Sequence, residues 1–393
     1  IDEMDEDTHI YHNFMLCKER FERWTEKCIN PSQVLDALTK LEIVEIVLTK
    51  GEDDPQVIFE SINSTGLELS NADLIRNYLL MNADDQEKLY ENYWLYIEKT
   101  LRNKMDYSNL DAFFMQYIVY KTSKPVNSRQ LYNSFVKLFK DSGYSQESIL
   151  KELRYYAEIF GAFVYGSDKY SDRINKLLYR LRVLNQTTCY PFLLHVFDDY
   201  HQGVITEETV EKILQFILAY LLRRMVCGVP SNTLRGLFTY LYNRIFKVAS
   251  NKQKYYETLN KFLFTVSSKD VIPSAAEFER ALQKANIYGN NALCRFLLLD
   301  IENGDGKEIL QAENLTIEHI MPQTLSADWS HIRPEEHEEY LHTLGNLSVT
   351  GYNSELSNKS FAEKQDIIRE NSKAVILNSD VLDKESWNVA DIQ

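Results

Sequence analysis

Proline and glycine are scarce, 8 and 13 in 393 residues. Proline interrupts elements by removing a backbone donor, and glycine by its conformational freedom. A chain with so few of them predicts long helices, and 25 Tyr and 19 Phe supply aromatic packing between these. Cysteine is also thin. The five thiols, at positions 17, 28, 189, 227 and 294, are odd in number and never fall as CxxC. That excludes a disulfide scaffold and a zinc-strut site and fits a reducing compartment. The most apolar run, Ile213 to Leu222, is too short to span a bilayer and no signal peptide is visible, so the cytoplasm is expected and no membrane partner. Positive charge is the last deficit. With 43 Lys and Arg against 58 Asp and Glu, the net charge is −15, which argues against indiscriminate DNA binding because such affinity rests on phosphate neutralisation.

The deficit is uneven. Between Leu221 and Lys261 eight basic residues stand against Glu257 alone, interleaved with Tyr240, Tyr242, Tyr255 and Tyr256. The stretch reads either as a DNA-facing surface, with Arg223, Arg224 and Arg235 as its candidates, or as a solvated helical face over an aromatic stripe. From Asp84 to about Asp300 apolar residues recur at three-and-four spacing, helix after helix. Ser274 with Glu277 reads as a capping box, and Thr206 as the cap of an acidic helix start. Earlier, LEIVEIVL (41–48) is β-branched and closed by a Gly/Asp/Pro turn, a strand signal. His195 reads as a core histidine, Cys294 as inert, and His331, His337 and His342 as bystanders on an exposed helix over PEEHEEYLHTL.

Chemistry concentrates near the C-terminal end, in LTIEHIMPQTLSADW (315–329) and LGNLSVTGYNSELSNKSFAEK (344–364). Leu315 to Ile320 predicts a short strand stopped by Pro322, and Leu344 to Thr350 a second. Ser360 with Glu363 predicts a capped helix. Glu318-His319 then lies on the first strand, with Asn346, Asn353 and Asn358 around the second. Phosphodiester hydrolysis asks for a base near neutral pKa, which histidine supplies, and for a hard cation with oxygen ligands. Adjacent strand residues face opposite ways, so Glu318 and His319 act together only if the strand distorts, as Pro322 would allow.

This arrangement resembles the HNH (ββα-metal) endonucleases, and more closely the GmrSD-type modification-dependent restriction enzymes, with their IEHIxPQ…W…LGNL…N…LSNxxFxxK pattern. The resemblance implies His319 as the base that activates water and Glu318 as a metal ligand. Asn346 would brace the loop and orient the base. Asn353 or Asn358 would be the second ligand, the metal being magnesium or manganese. Lys359 is a further candidate for DNA contact. A second stretch, VIFESINSTGLELSNADLIRNYLL (57–80), reads locally as helix, turn, helix, with Ser70 an N-cap. It also resembles the FExxNxxGxxLSxxDLIxNYLL signature of the ParB-like NTPase domain in the same family, implying Asn63 and Asp73 as nucleotide-site candidates. The family's DGQQR-type motif, expected upstream, does not occur in these residues, so NTP is expected to bind only with an upstream NTPase half.

The expected fold is mainly α: a partial α/β NTPase-like segment over 1–83, a large helical domain over 84–306, and a small ββα-metal (HNH-like) α+β unit over 307–393. The expected function is metal-dependent cleavage of DNA, modified DNA included, in a restriction or defence system. The alternative is a catalytically silent DNA-sensing or regulatory module. The residues leave the oligomeric state open.

Overall fold

A computed structural model describes residues 9–26, 30–42, 45, 47, 58, 69–81, 83–102, 108–266, 269–304, 310, 315–350 and 356–393. Asn63 and Asn353 lie outside these, as does half of the expected strand over 41–48; the described Leu41, Glu42, Glu45 and Val47 adopt no regular structure. The protein is mainly helical, and among the described residues strand is confined to β1 (Thr316–His319) and β2 (Leu347–Thr350). No helix is long and apolar enough to cross a membrane among the residues described.

Chain contacts divide the protein into two compact units, residues 1–122 with 126–160, and residues 123–125 with 161–393. In the first, aromatic rings pack among buried aliphatics such as Ile75, Leu79, Ile97 and Leu131. Trp94 stacks on Phe114 at 6.0 Å, and Phe114 meets Phe135 edge-on at 5.5 Å. The Trp94 indole satisfies its one donor by bonding Glu98 at 2.9 Å. Helix Asn71–Met81 is capped twice. Ser70 Oγ accepts from Asp73 N, and the Asp111 carboxylate accepts from Ala72 N at 2.8 Å. Asp73 is fully occupied in this cap, held by Ser70 Oγ at 2.7 Å and Arg76 at 3.1 Å.

The second unit packs its long helices around Glu207–Val226, whose Val210, Ile213, Ile217 and Leu221 are buried. Arg224 continues that stripe and is itself 1% exposed. Its guanidinium donates to the carbonyls of Lys269 (2.8 Å) and Pro230 (3.0 Å). This corrects its reading as a DNA contact: the group ties two loops together inside the fold. Arg223 is half-buried and donates to Pro273 O at 3.2 Å, whereas Arg235 is exposed. His195 is half-buried, its ring stacked 3.9 Å from that of Tyr242.

β1 and β2 pair antiparallel, with Glu318 opposite Ser348 and His319 opposite Leu347. All four β2 residues are buried, with helices Asn291–Asn303 and Ile376–Asp383 packed against the strand and the second joined to it by the Ser348–Asn378 hydrogen bond of 2.8 Å. The loop between the strands folds over Trp329, which is fully buried and donates its indole N–H to Lys359 O at 3.0 Å. Gly345 marks the tightest contact. A Cβ there would sit 1.9 Å from Ile392 O, so only glycine lets the C-terminal helix Val389–Ile392 approach the turn into β2. The capping box at Ser360 and Glu363 forms as expected and opens helix Phe361–Asn371.

Candidate active site

Helix Phe361–Asn371 carries Lys364, which is 0% exposed, onto the end of β1. Its ammonium donates to Glu318 Oε1 and to His319 O, each at 2.7 Å. Burial outweighs this pairing on both sides. It raises the Glu318 carboxyl above its ordinary range despite Lys364, and it lowers the Lys364 ammonium despite Glu318. The pair is therefore held at a desolvation cost, and Lys364 fixes the strand end through a main-chain oxygen as well as a carboxylate.

His319, the last residue of β1, is buried and uses both ring nitrogens. Nε2 lies 3.1 Å from His342 Nδ1, and Nδ1 lies 3.3 Å from the Gln323 amide nitrogen. With the Gln323 NH2 toward it, Nδ1 accepts, and His342 Nδ1 then accepts from the proton on Nε2. The ring of Tyr288 meets His319 edge-on at 4.4 Å and lies parallel to His342 at 5.1 Å. Burial pushes His319 down to about 4, with the nearby His342, Lys364 and His337 acting in the same direction. The ring is neutral at pH 7, and its Nδ1 lone pair is shared with the Gln323 amide at the cleft.

Asn346 is fully buried and organises the loop. Its Nδ2 donates to Met321 O (3.0 Å) and Leu341 O (2.9 Å), while its Oδ1 accepts from Met321 N at 2.7 Å. One side chain thus clamps the start of the inter-strand loop to its end. His337 adds a second tie, to Pro322 O at 2.8 Å.

Ile317, Glu318, His319, Pro322, Gln323, Ser357 and Asn358 line one open cleft of about 470 Å³. Glu318 and His319 share it although they are neighbours on a strand. Among the described residues no three His, Cys, Asp or Glu side chains come together as a metal cage. A hard cation asks for less, one or two carboxylates with phosphate and water completing the shell. Glu318 Oε2 and the exposed Asn358 amide have no hydrogen-bond partner among the described residues, and these oxygen donors suit such an ion.

The structure brings together Glu318, His319 and Asn358, with Asn346 behind them. Exposed Lys359 follows Asn358 directly. Four neighbours escaped the sequence reading. Lys364 and Gln323 stand within the quoted pattern without a role. Tyr288 comes from before the two strands, where Ile287 N and Tyr288 N bond His342 O at 2.9 and 3.3 Å. His342 was expected on an exposed helix. That helix ends at Tyr340, and the half-buried His342 turns back onto His319. His342 lies three residues past the last helical acid, Glu339, and two before the LGNL turn, a spacing that carries no mark of this role. No curated protein matches the chain. Residues 272–393, a stretch that begins ahead of Tyr288 and contains the whole cleft, match the sequence model described as GmrSD restriction endonucleases, C-terminal domain, which supports the resemblance to that family over this part of the chain.

Proposed function

We propose that residues 272–393 form a divalent-metal-dependent DNA endonuclease site of the HNH type, serving restriction of foreign or modified DNA in the cytoplasm. The observation that carries this reading is the His319 ring at the cleft, held neutral at pH 7 by burial, beside a carboxylate with one oxygen unengaged. His319 Nδ1 takes a proton from water as the water oxygen bonds phosphorus and the bond to the leaving sugar oxygen breaks. A base held at about 4 is weak, and the negative charge of a bound phosphodiester raises it toward the range where general-base catalysis is effective. Glu318 and Asn358, with Asn353 as the alternative amide, would hold magnesium or manganese, which when bound neutralises charge on the phosphate. Asn346 keeps the loop, and with it Gln323, at a fixed distance from the base. Nucleotide control belongs to this reading only with an upstream NTPase half, since the DGQQR-type motif does not occur in these residues.

Lys364 on Glu318 favours a second reading, a silent DNA-sensing module whose carboxylate is already neutralised. Plasmid cleavage with magnesium or manganese separates the two. The chain should nick or cut, chelator should stop it, and His319→Ala should lower the rate by about 10²–10⁴-fold. Undiminished cleavage by His319→Ala overturns the assignment of the base. A parent that never cuts, even with nucleoside triphosphate and its upstream half supplied, hands the domain to the second reading.

A further inference from the structure

We propose that His342 is a positioning residue that fixes the tautomer of His319, and with it the direction in which the base presents its lone pair. The inference rests on the reading of His319 as general base. A neutral histidine carries its proton on one nitrogen or the other, and the hydrogen bond made by the nitrogen away from the substrate decides which. His342 Nδ1 stands 3.1 Å from His319 Nε2 and does not line the cleft, whereas Gln323, on the opposite nitrogen, does. With Nδ1 of His342 accepting, the His319 proton stays on Nε2 and the lone pair on Nδ1 faces the phosphate side.

His342 is held for this task by contacts that do not involve His319. Its carbonyl takes the Ile287 and Tyr288 N–H groups, and its ring lies parallel to Tyr288, 9° from coplanar. Tyr288 is also edge-on to His319, so one phenol ring spaces both imidazoles. Without the acceptor at His342, the buried His319 Nε2–H would have no partner among the described residues. The tautomer with its proton on Nδ1, bonding toward the Gln323 side, would then compete. That tautomer offers water a donor where an acceptor is needed.

The test uses the full chain labelled with ¹⁵N-histidine. In the parent, the His319 shifts should report a proton on Nε2. In His342→Leu a large fraction should move to Nδ1, with cleavage falling about 10–100-fold in kcat while KM for DNA stays within twofold. His342→Asn should restore both readouts in large part, because its amide oxygen can occupy the position of the Nδ1 acceptor. Should His342→Leu fail to fold, Asn against Gln carries the same test, since the longer amide reaches past that position and should not rescue. An unchanged His319 tautomer in His342→Leu, or equal impairment in Asn and Gln, overturns the proposal. Failure of the base assignment itself is read separately, as undiminished cleavage by His319→Ala with the tautomer shift still present.

Discussion

Two buried carboxylates of the 161–393 unit have nearly the same neighbours and opposite circumstances. Asp199, 6% exposed, has a lysine (Lys252 at 2.7 Å), two tyrosines (Tyr242 at 2.7 Å and Tyr255 at 3.0 Å) and a histidine, His195, stacked on one of them. Glu318, 5% exposed, has Lys364 at 2.7 Å, with His319 next to it and Tyr288 against that ring. Both Asp199 oxygens are engaged, and burial holds the Tyr255 phenol far above its ordinary range as a permanent donor. Glu318 has one oxygen engaged and opens on a cleft. The same residue types make a structural knot where every acceptor is used, and a candidate site where capacity is left over and solvent can reach it.

The largest expected difference is in stability when each lysine is removed. Lys364→Met leaves Glu318 buried and unpaired, and should cost about 3–5 kcal/mol, the range for breaking a buried ion pair. Lys252→Met leaves Asp199 with two phenol donors and should cost about 1–2 kcal/mol. Urea unfolding at pH 7 measures both. Equal losses would mean that the two carboxylates are held alike and that the contrast lies in access alone.

A smaller effect should appear with pH. The folded His319 value, about 4, lies below its ordinary 6.5. Between those values the unfolded chain binds a proton that the folded chain does not, so stability present above pH 6.5 is lost as pH falls toward 4. The integrated effect is on the order of 3 kcal/mol. Glu318, held above its ordinary range by burial, works in the opposite sense as pH falls. The informative measurement is therefore the difference between the parent and His319→Gln across this window. The variant should lose less stability on acidification; parallel curves would show that His319 titrates as an ordinary exposed histidine.

What was legible in the sequence followed locality. The capping boxes at Ser274–Glu277 and Ser360–Glu363 need only four consecutive residues, and both formed. So did the two short strands. Helix Ile376–Asp383 escaped because its first N–H groups, with that of Val375 ahead of them, are satisfied by Glu302, more than seventy residues earlier, a partner no window could contain. Arg224 was counted as surface charge because composition carries no burial. Its spacing from Ile217 and Leu221 places it on the apolar stripe of its helix, and that signal was available. In the site, the EH pair, Asn346 and Asn358 were readable as types in order. Tyr288 and His342 were not, because their role exists only after the 287–288 segment bonds His342 O. The closing contact of Ile392 on Gly345 is equally non-local.

The contrast between spent and unspent groups extends to the cations, where the expected effect is smallest. In the basic stretch from Leu221 to Lys261, Arg224 is committed to carbonyls, Arg223 to Pro273 O and Lys252 to Asp199. Arg235 is exposed and its side chain forms no ion pair or hydrogen bond among the described residues. Lys359 is also exposed, but it adjoins Asn358 on the cleft, and its main chain is pinned by Trp329. A fixed cation beside the cleft neutralises a phosphate more effectively than an isolated one, so Lys359→Ala should weaken DNA binding a few-fold at low salt. It should also reduce the slope of log affinity against log salt by about one. Arg235→Ala should leave the slope unchanged. Anisotropy titrations of a short duplex between 50 and 200 mM salt, the range where such slopes are steep, measure both. An equal loss in the two variants would place DNA on the helical region as well as at the cleft, and would make the basic stretch an interface in place of a solvated face.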